Sequence, residues 1–214
     1  KEEKEAWQIK RAVDVDSLQL SRNHSGRFVG RESDLEATIQ LIKPSSVVSI
    51  LGPAGVGKTH LAIEASIRWR QRHQAPVIFC DASTASDSLS FLQIVSKALG
   101  IHLRAHDPST QLITELRQRP TTLIIFDNLE QIIQAAAQLI EGWITIAPDL
   151  IFIITSRIPL AIDQEQQFRI QPMTLLEAAE LFVYRAQKLL PTLQLNEANQ
   201  QLICAIVDRL DRLP

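Results

Sequence analysis

The sequence predicts an α/β domain in which helices cover both faces of a parallel sheet, and three observations lead there. Short, continuously apolar runs recur at 47–51, 77–80, 123–126 and 151–154, with a weaker fifth at 168–170. Helical patterns fill the intervals, at 59–72, 88–99, 109–117 and 129–147. Strands need to be apolar on both faces only when helices bury both sides of a sheet, and strand–helix alternation supplies the crossovers that parallel strands require. The third observation is a glycine-rich loop directly after the first run, at the carboxyl end of a strand, where ligands of such folds sit.

Taken in order, residues 1–26 are polar and too poor in apolar groups to close a core, so they predict a linker or upstream tail, with a short helix over 2–13. The main domain is expected over 27–172. Its first helix spans 32–42, with Leu35, Ile39 and Ile42 inward, Ser33 as N-cap and Pro44 as the stop. The 129–147 helical pattern leaves room for a break at Gly142. After Pro172 strand signals vanish. Thr174 and Glu177 form a capping box for a helix over 175–189, Pro191 ends it, and a further helix at 196–211 is expected to turn Leu202, Ile206 and Leu210 inward. Residues 173–214 therefore predict the start of a small helical lid. A chain that opens on Lys1 and stops at Leu213-Pro214 reads as a piece of a longer polypeptide.

The 214 residues are 45% hydrophobic and 21% charged, with a net charge of −2, so no general electrostatic pull toward nucleic acid or anionic membrane is expected. The longest apolar runs, at 123–126 and 150–154, are far shorter than a membrane span. The charged 1–10 stretch lacks the apolar centre of a signal peptide. Cys80 and Cys204 are too few for a disulfide framework and read as buried thiols of a reducing compartment, which predicts a cytoplasmic protein.

Residues 52–59 read Gly-Pro-Ala-Gly-Val-Gly-Lys-Thr, a full G-x-x-x-x-G-K-T match between a strand and a helix. Polyphosphate is a dense anion and needs several inward backbone N–H groups, which an uncluttered loop at a helix N-terminus offers. The expected contact set is Gly52, Gly55, Val56, Gly57, Lys58, Thr59 and His60, with Lys58 on an exposed loop reaching the β- and γ-phosphates. Asp127 ends the 123–126 run, 127 − 58 = 69 residues beyond the lysine. Together with Thr59 it is expected to hold Mg²⁺; its other reading is a cap for the next helix. Arg157 follows the 151–154 run and is read either as a γ-phosphate contact or as a structural arginine. His24, His60, His73, His102 and His106 show no metal-ligand spacing, and Trp7, Trp69 and Trp143 read as packing residues. Arg68, Arg70 and Arg72 suit the dipole at the end of the loop-following helix.

Taken together, Phe28-Val-Gly-Arg-Glu32, GPAGVGKT, LIIFDNLE, IFIITSR, TLLEAAELF at 174–182 and the closing LDRLP resemble the STAND class of ATPases, and within it the NB-ARC or AP-ATPase branch. The ordered motifs cover about 28–214. The resemblance implies an ASCE-type P-loop NTPase core with strand order 5-1-4-3-2 followed by a helical lid. It implies that Val29, Gly30 and Arg31 clasp adenine, that Arg157 senses the γ-phosphate, and that Pro214 packs on the base. It further implies an ATP/ADP switch with slow Mg²⁺-dependent hydrolysis, working beside other domains of the same polypeptide and through ATP-driven self-assembly, with no direct nucleic-acid contact from this segment. Two departures stand out: Arg212 replaces the glycine expected before Leu-Pro, and Asn128 occupies the place where many such ATPases carry an acid. An amide orients water but takes no proton at neutral pH; Glu130 is a substitute base or a first-turn helix stabiliser. The residues expected to act on the reaction are Lys58, Asp127, Asn128 and Arg157. From spacing alone, an ordinary NTPase or small-molecule kinase and a non-hydrolysing ADP-binding scaffold stay open beside the switch.

Overall fold

The structure, a computed structural model, describes residues 28–103 and 107–214; the expected linker, the 2–13 helix, Trp7, His24 and His106 lie outside the described residues. The chain runs α1 (Glu32–Leu41), β1 (Val47–Leu51), α2 (Lys58–His73), β2 (Val77–Asp81), α3 (Ser88–Leu99) and α4 (Pro108–Arg117). It continues with β3 (Thr122–Asp127), a 3₁₀ turn (Leu129–Gln131), α5 (Ile133–Ile146), β4 (Leu150–Ser156), β5 (Glu165–Arg169), α6 (Leu175–Ala186) and α7 (Glu197–Arg209).

All strand pairs are parallel, and the sheet order is β2-β3-β4-β1-β5, the expected 5-1-4-3-2 read from the other edge. Side-chain alternation divides the core in two. Leu123 and Ile125 join Val48, Ile50 and Ile153 under α1 and α2, while Ile124 and Phe126 join Phe152 and Ile154 under α3 and α5. On the second face an aromatic nest fills the space, with Phe91 edge-on to Phe126 at 5.1 Å and Phe126 stacked on Phe152 at 5.6 Å. Trp69 and Trp143 are buried packing residues, as expected.

Several local expectations are corrected. The cap of α1 is Arg31, held at φ 59°, and Ser33 lies inside the first turn. The break in the 129–147 pattern falls at Ile132, between the 3₁₀ turn and α5, and Gly142 stays helical. Burial of Ala136, Ile140, Trp143 and Ile144 outweighs the roughly 1 kcal/mol that a helical glycine costs. The fifth strand starts earlier than 168 and is polar, Glu-Gln-Gln-Phe-Arg, which an edge strand paired on one side with β1 tolerates. Arg68 pairs with Glu32, Glu36 and Glu64, and Arg72 with Glu36, so these cations also hold α1 against α2.

The helical segment 173–214, expected to start a lid, forms its own small core around Met173, Ala178, Ala179, Val183, Ile203 and Val207. The capping box is present: Glu177 N–H donates to Thr174 Oγ1, and Thr174 N–H donates to Glu177 Oε2. The inward face of α7 is one residue away from the expected one. Ile203 and Val207 are buried, whereas Leu202, Ile206 and Leu210 are 66%, 37% and 58% exposed. Two apolar stripes of identical four-residue spacing run along this helix, and the one at Ile203 and Val207 packs with Met173, Ala178, Ala179 and Val183. Among the described residues no helix is long and apolar enough to cross a membrane.

Candidate functional site

The site forms where β1, β3 and β4 end side by side. Leu51 of β1 is level with Ser156 of β4, and Phe126 of β3 with Ile154. The loop leaving β1 turns into α2 through Gly57, at φ 98°, a conformation that favours glycine. Lys58 does not sit exposed as expected: it is 8% accessible at the start of α2. Its Nζ donates to the carbonyls of Gly52 (3.0 Å) and Pro53 (2.9 Å), so the ammonium lies across the loop. Burial pushes the Lys58 pKa down, and Arg157 adds to this, against the opposing pull of Glu130 and Asp127.

Asp127 is 1% accessible. Its Oδ1 accepts from Thr59 Oγ1 (2.6 Å) and Thr155 Oγ1 (2.5 Å), and its Oδ2 from Asn128 Nδ2 (3.0 Å). The carboxylate therefore faces the first turn of α2 and is not the cap of the following turn, whose cap position is Asn128, with no side-chain capping bond. Asn128 takes the left-handed conformation, φ 62°, which asparagine tolerates better than most residues, and its N–H donates to Thr155 Oγ1 (3.0 Å). Thr155 thus fixes both Asp127 and Asn128. Sequence reasoning named the strand end but not this residue, although it is a polar group at the carboxyl end of an otherwise apolar strand. Arg157 is 60% exposed and pairs through Nε with Glu130 Oε1 at 3.4 Å. The other oxygen of Glu130 is buried and makes no hydrogen bond among the described residues.

A cavity of about 420 Å³ opens over this cluster. Gly55, Gly57, Lys58, Thr59, His60, Asn128, Glu130 and Arg157 line it from the main domain, and Leu181, Arg185, Lys188 and Pro214 from the lid. Pro214 reaches the loop itself: a Cβ built on Gly57 would lie 3.1 Å from Pro214 Cγ. The lid contributions Leu181, Arg185 and Lys188 carry no motif and were not foreseen. Val29, Gly30 and Arg31 do not line this cavity. Arg31 is buried and joins three parts of the molecule: its guanidinium contacts Asp34 (3.0 Å) and donates to Val56 O (3.1 Å), and its N–H donates to Glu177 Oε1 (2.5 Å). Gly30, at φ 72°, lets the backbone meet the lid, since a Cβ there would lie 2.9 Å from both Glu177 Cβ and Met173 Cε. Burial works to raise the Glu177 carboxyl, but the bonds from Arg31 and Thr174 outweigh it and hold the group below the usual carboxylate range.

The donor set fits a polyphosphate with a hard cation: a glycine loop at a helix N-terminus, a lysine, and a threonine hydroxyl 2.6 Å from a buried carboxylate. Among the described residues no cluster of three or more His, Cys, Asp or Glu side chains forms a metal site.

An uncharacterised protein of Mycobacterium tuberculosis, Rv0894, is 28% identical over 199 residues, covering 91% of this chain and 50% of that protein. Rv0890c of the same organism, described by its name as an HTH-type transcriptional regulator, is 28% identical over 178 residues, covering 81% of this chain and 20% of that protein. The chain therefore spans half or less of the length of these relatives. Among solved structures, a STAND protein with a tetratricopeptide repeat sensor from Pyrococcus horikoshii aligns with a TM-score of 0.58 at 18% identity, over 87% of this chain and 28% of that one. The ORC2 protein of Aeropyrum pernix, solved in ADPNP–ADP complexes, aligns with a TM-score of 0.58 at 15% identity, over 73% of this chain and 52% of that one. At such identities the likeness carries the fold. The family model of the NACHT domain matches residues 46–191, from the first residue before β1 into the lid, and the chain belongs to this family of STAND P-loop NTPases.

Proposed function

We infer that this module is a nucleotide-dependent regulatory switch that binds ATP and ADP and hydrolyses ATP slowly with Mg²⁺. The observation that carries this reading is the convergence on one cavity of Lys58, of Thr59 bonded to the buried Asp127 behind it, and of the Glu130–Arg157 pair, with residues 181–188 and Pro214 on the same cavity. The loop amides and Lys58 would hold the β- and γ-phosphates, with Thr59 and Asp127 as the residues toward Mg²⁺. When bound, that ion would neutralise phosphate charge. Arg157 would face the γ-phosphate, and Pro214 the nucleoside end. Val29, Gly30 and Arg31 would act on the adenine side through the junction they form with the lid.

Hydrolysis requires a water oxygen to bond to the γ-phosphorus as the bond to the ADP oxygen breaks, with the water proton passing to a base and then to phosphate. Asn128 cannot take that proton, and its amide already donates to Asp127. Glu130 can, through the oxygen that has no bond of its own, but its partner oxygen is held by Arg157. A base engaged by the same cation that would contact the γ-phosphate makes turnover slow and dependent on nucleotide, as a timer needs. Nucleotide binding is supported by the similarity to the Aeropyrum protein solved with ADPNP and ADP, and a place beside other domains by the similarity to the Pyrococcus signal-transduction ATPase with numerous domains. Further domains of the same polypeptide, self-assembly in the ATP state and a cytoplasmic setting belong to the same proposal.

The test is a titration of labelled ATP and ADP, with and without Mg²⁺, on the wild type and on Lys58→Ala and Asp127→Ala. Lys58→Ala is expected to abolish tight ATP binding. Asp127→Ala is expected to erase the Mg²⁺ dependence while sparing metal-free ADP binding. Wild-type affinity in Lys58→Ala would remove the phosphate site from the loop.

A further inference from the structure

The cavity is more cationic than the loop chemistry requires. Of the charged side chains lining it, Lys58, Arg157, Arg185 and Lys188 are positive and Glu130 alone is negative, leaving 4 − 1 = 3 positive charges. Arg157 is answered by Glu130, and Lys58 by two carbonyls. Arg185 and Lys188 carry no ion pair among the described residues. They do not lie there at random: Leu181 and Arg185 share one face of α6 at i, i+4 spacing, Lys188 lies in the turn that follows the helix, and all three line the cavity together with the loop. Position at the end of α6 suits the helix dipole on its own. The dipole, however, gives no reason for both cations to share the face that already looks at Lys58 and Arg157, where like charges repel. An anion between the two walls removes that repulsion.

Resting on the nucleotide reading above, we propose that Arg185 and Lys188 are a second, lid-borne clamp for the terminal phosphate of a nucleoside triphosphate. The cavity they share contains Lys58 and the γ-phosphate candidates Arg157, Glu130 and Asn128 as well as Pro214. Its cations gather with Lys58 and Arg157, and the clamp is assigned to the polyphosphate end on that account. A triphosphate carries one more charged group than a diphosphate into the gap, so it draws α6 toward the loop and ADP does so less. The lid position then reports the presence of the γ-phosphate, through contacts that differ between the two nucleotide states.

The test compares wild type with the double variant Arg185→Gln/Lys188→Gln and with Arg185→Lys, titrating ATP and ADP in Mg²⁺ at low and moderate salt. It also follows amide hydrogen exchange across residues 175–188. Both side chains are exposed, and thermal melts of the variants are expected to match the wild type. The clamp predicts that the double variant loses about tenfold in ATP affinity and under about threefold in ADP affinity, that Arg185→Lys keeps most of the preference, and that ATP slows exchange in 175–188 in the wild type alone. An unchanged ATP/ADP ratio, or equal losses for both nucleotides, in a double variant of a wild type that binds nucleotide would overturn the clamp and leave the loop site standing. A wild type that binds neither nucleotide overturns both readings.

Discussion

Replacing Thr155 with valine isolates the bond that organises the carboxylate cluster. Valine has the same shape, so no cavity forms at a position with 0% exposure, and only the hydroxyl is lost. That hydroxyl donates to Asp127 Oδ1 at 2.5 Å and accepts from Asn128 N–H at 3.0 Å. Loss of a bond to a charged acceptor costs about 1.5–3 kcal/mol, and a buried N–H left without an acceptor costs about 1–3 kcal/mol. Asn128 is only part-buried and recovers some solvation, and the added methyl contributes about 0.8 kcal/mol of favourable burial, so a net loss of about 3 kcal/mol is expected. For a chain of this size that lowers Tm by about 6–12 °C. Thr145→Val is the control, because the Thr145 hydroxyl donates to its own helix at Glu141 O on the exposed surface, and its Tm should move by less than about 2 °C. Differential scanning calorimetry of both variants decides. A Thr155→Val melt within 2 °C of wild type, or one no lower than Thr145→Val, would refute the role given to this hydroxyl.

Arg157→Ala should reduce ATP affinity relative to ADP by about one decade, the lower end of a charge-assisted contact because the arginine is 60% exposed; isothermal titration of both nucleotides checks it, and an unchanged ratio returns Arg157 to a structural role. Glu177 has a folded-state pKa below its unfolded value of about 4.3, so its contribution to stability is fully present above that value and is lost as pH falls through the lower folded pKa. The Tm difference between wild type and Glu177→Gln should accordingly hold constant from pH 7 down to about 5 and shrink below about 4.3; a difference that grows toward acid pH would contradict the sign. Asn128→Asp replaces a donor 3.0 Å from Asp127 Oδ2 with a second carboxylate, so melts in a chelator should fall by an amount corresponding to about 1–3 kcal/mol and recover on adding Mg²⁺, whereas equal shifts with and without the ion would show that the two groups do not face each other.

Much of this molecule was legible because its strongest signals are local. The apolar runs around Ile50, Ile124 and Ile153 had no alternative to a sheet buried on both faces, and the loop between Gly52 and Thr59 marked one strand end without ambiguity. What stayed hidden depends on packing between distant segments. Both stripes of α7 are apolar, and which one is buried is settled by its packing with Met173, Ala178, Ala179 and Val183 from a different segment. Likewise, Arg31 reads as a motif residue, yet its contacts are with Val56 and with Glu177, 146 positions away. Arg185 and Lys188 became part of the site only when the lid folded back over the loop. Lys58 was expected on an exposed loop, but the loop carbonyls enclose its ammonium.

The switch reading turns on how fast the γ-phosphate leaves. Single-turnover hydrolysis of radiolabelled ATP, with protein in excess, measures this on the wild type and on Glu130→Gln. Slow turnover is expected, well below the roughly 1–100 s⁻¹ of dedicated phosphotransfer enzymes, with strict dependence on Mg²⁺. A further fall of about 10²–10⁴-fold is expected in Glu130→Gln, where the base is lost. Rapid hydrolysis that is indifferent to residue 130 would contradict the slow-timer reading and make this an ordinary NTPase, and ATP bound but never cleaved would make it a scaffold.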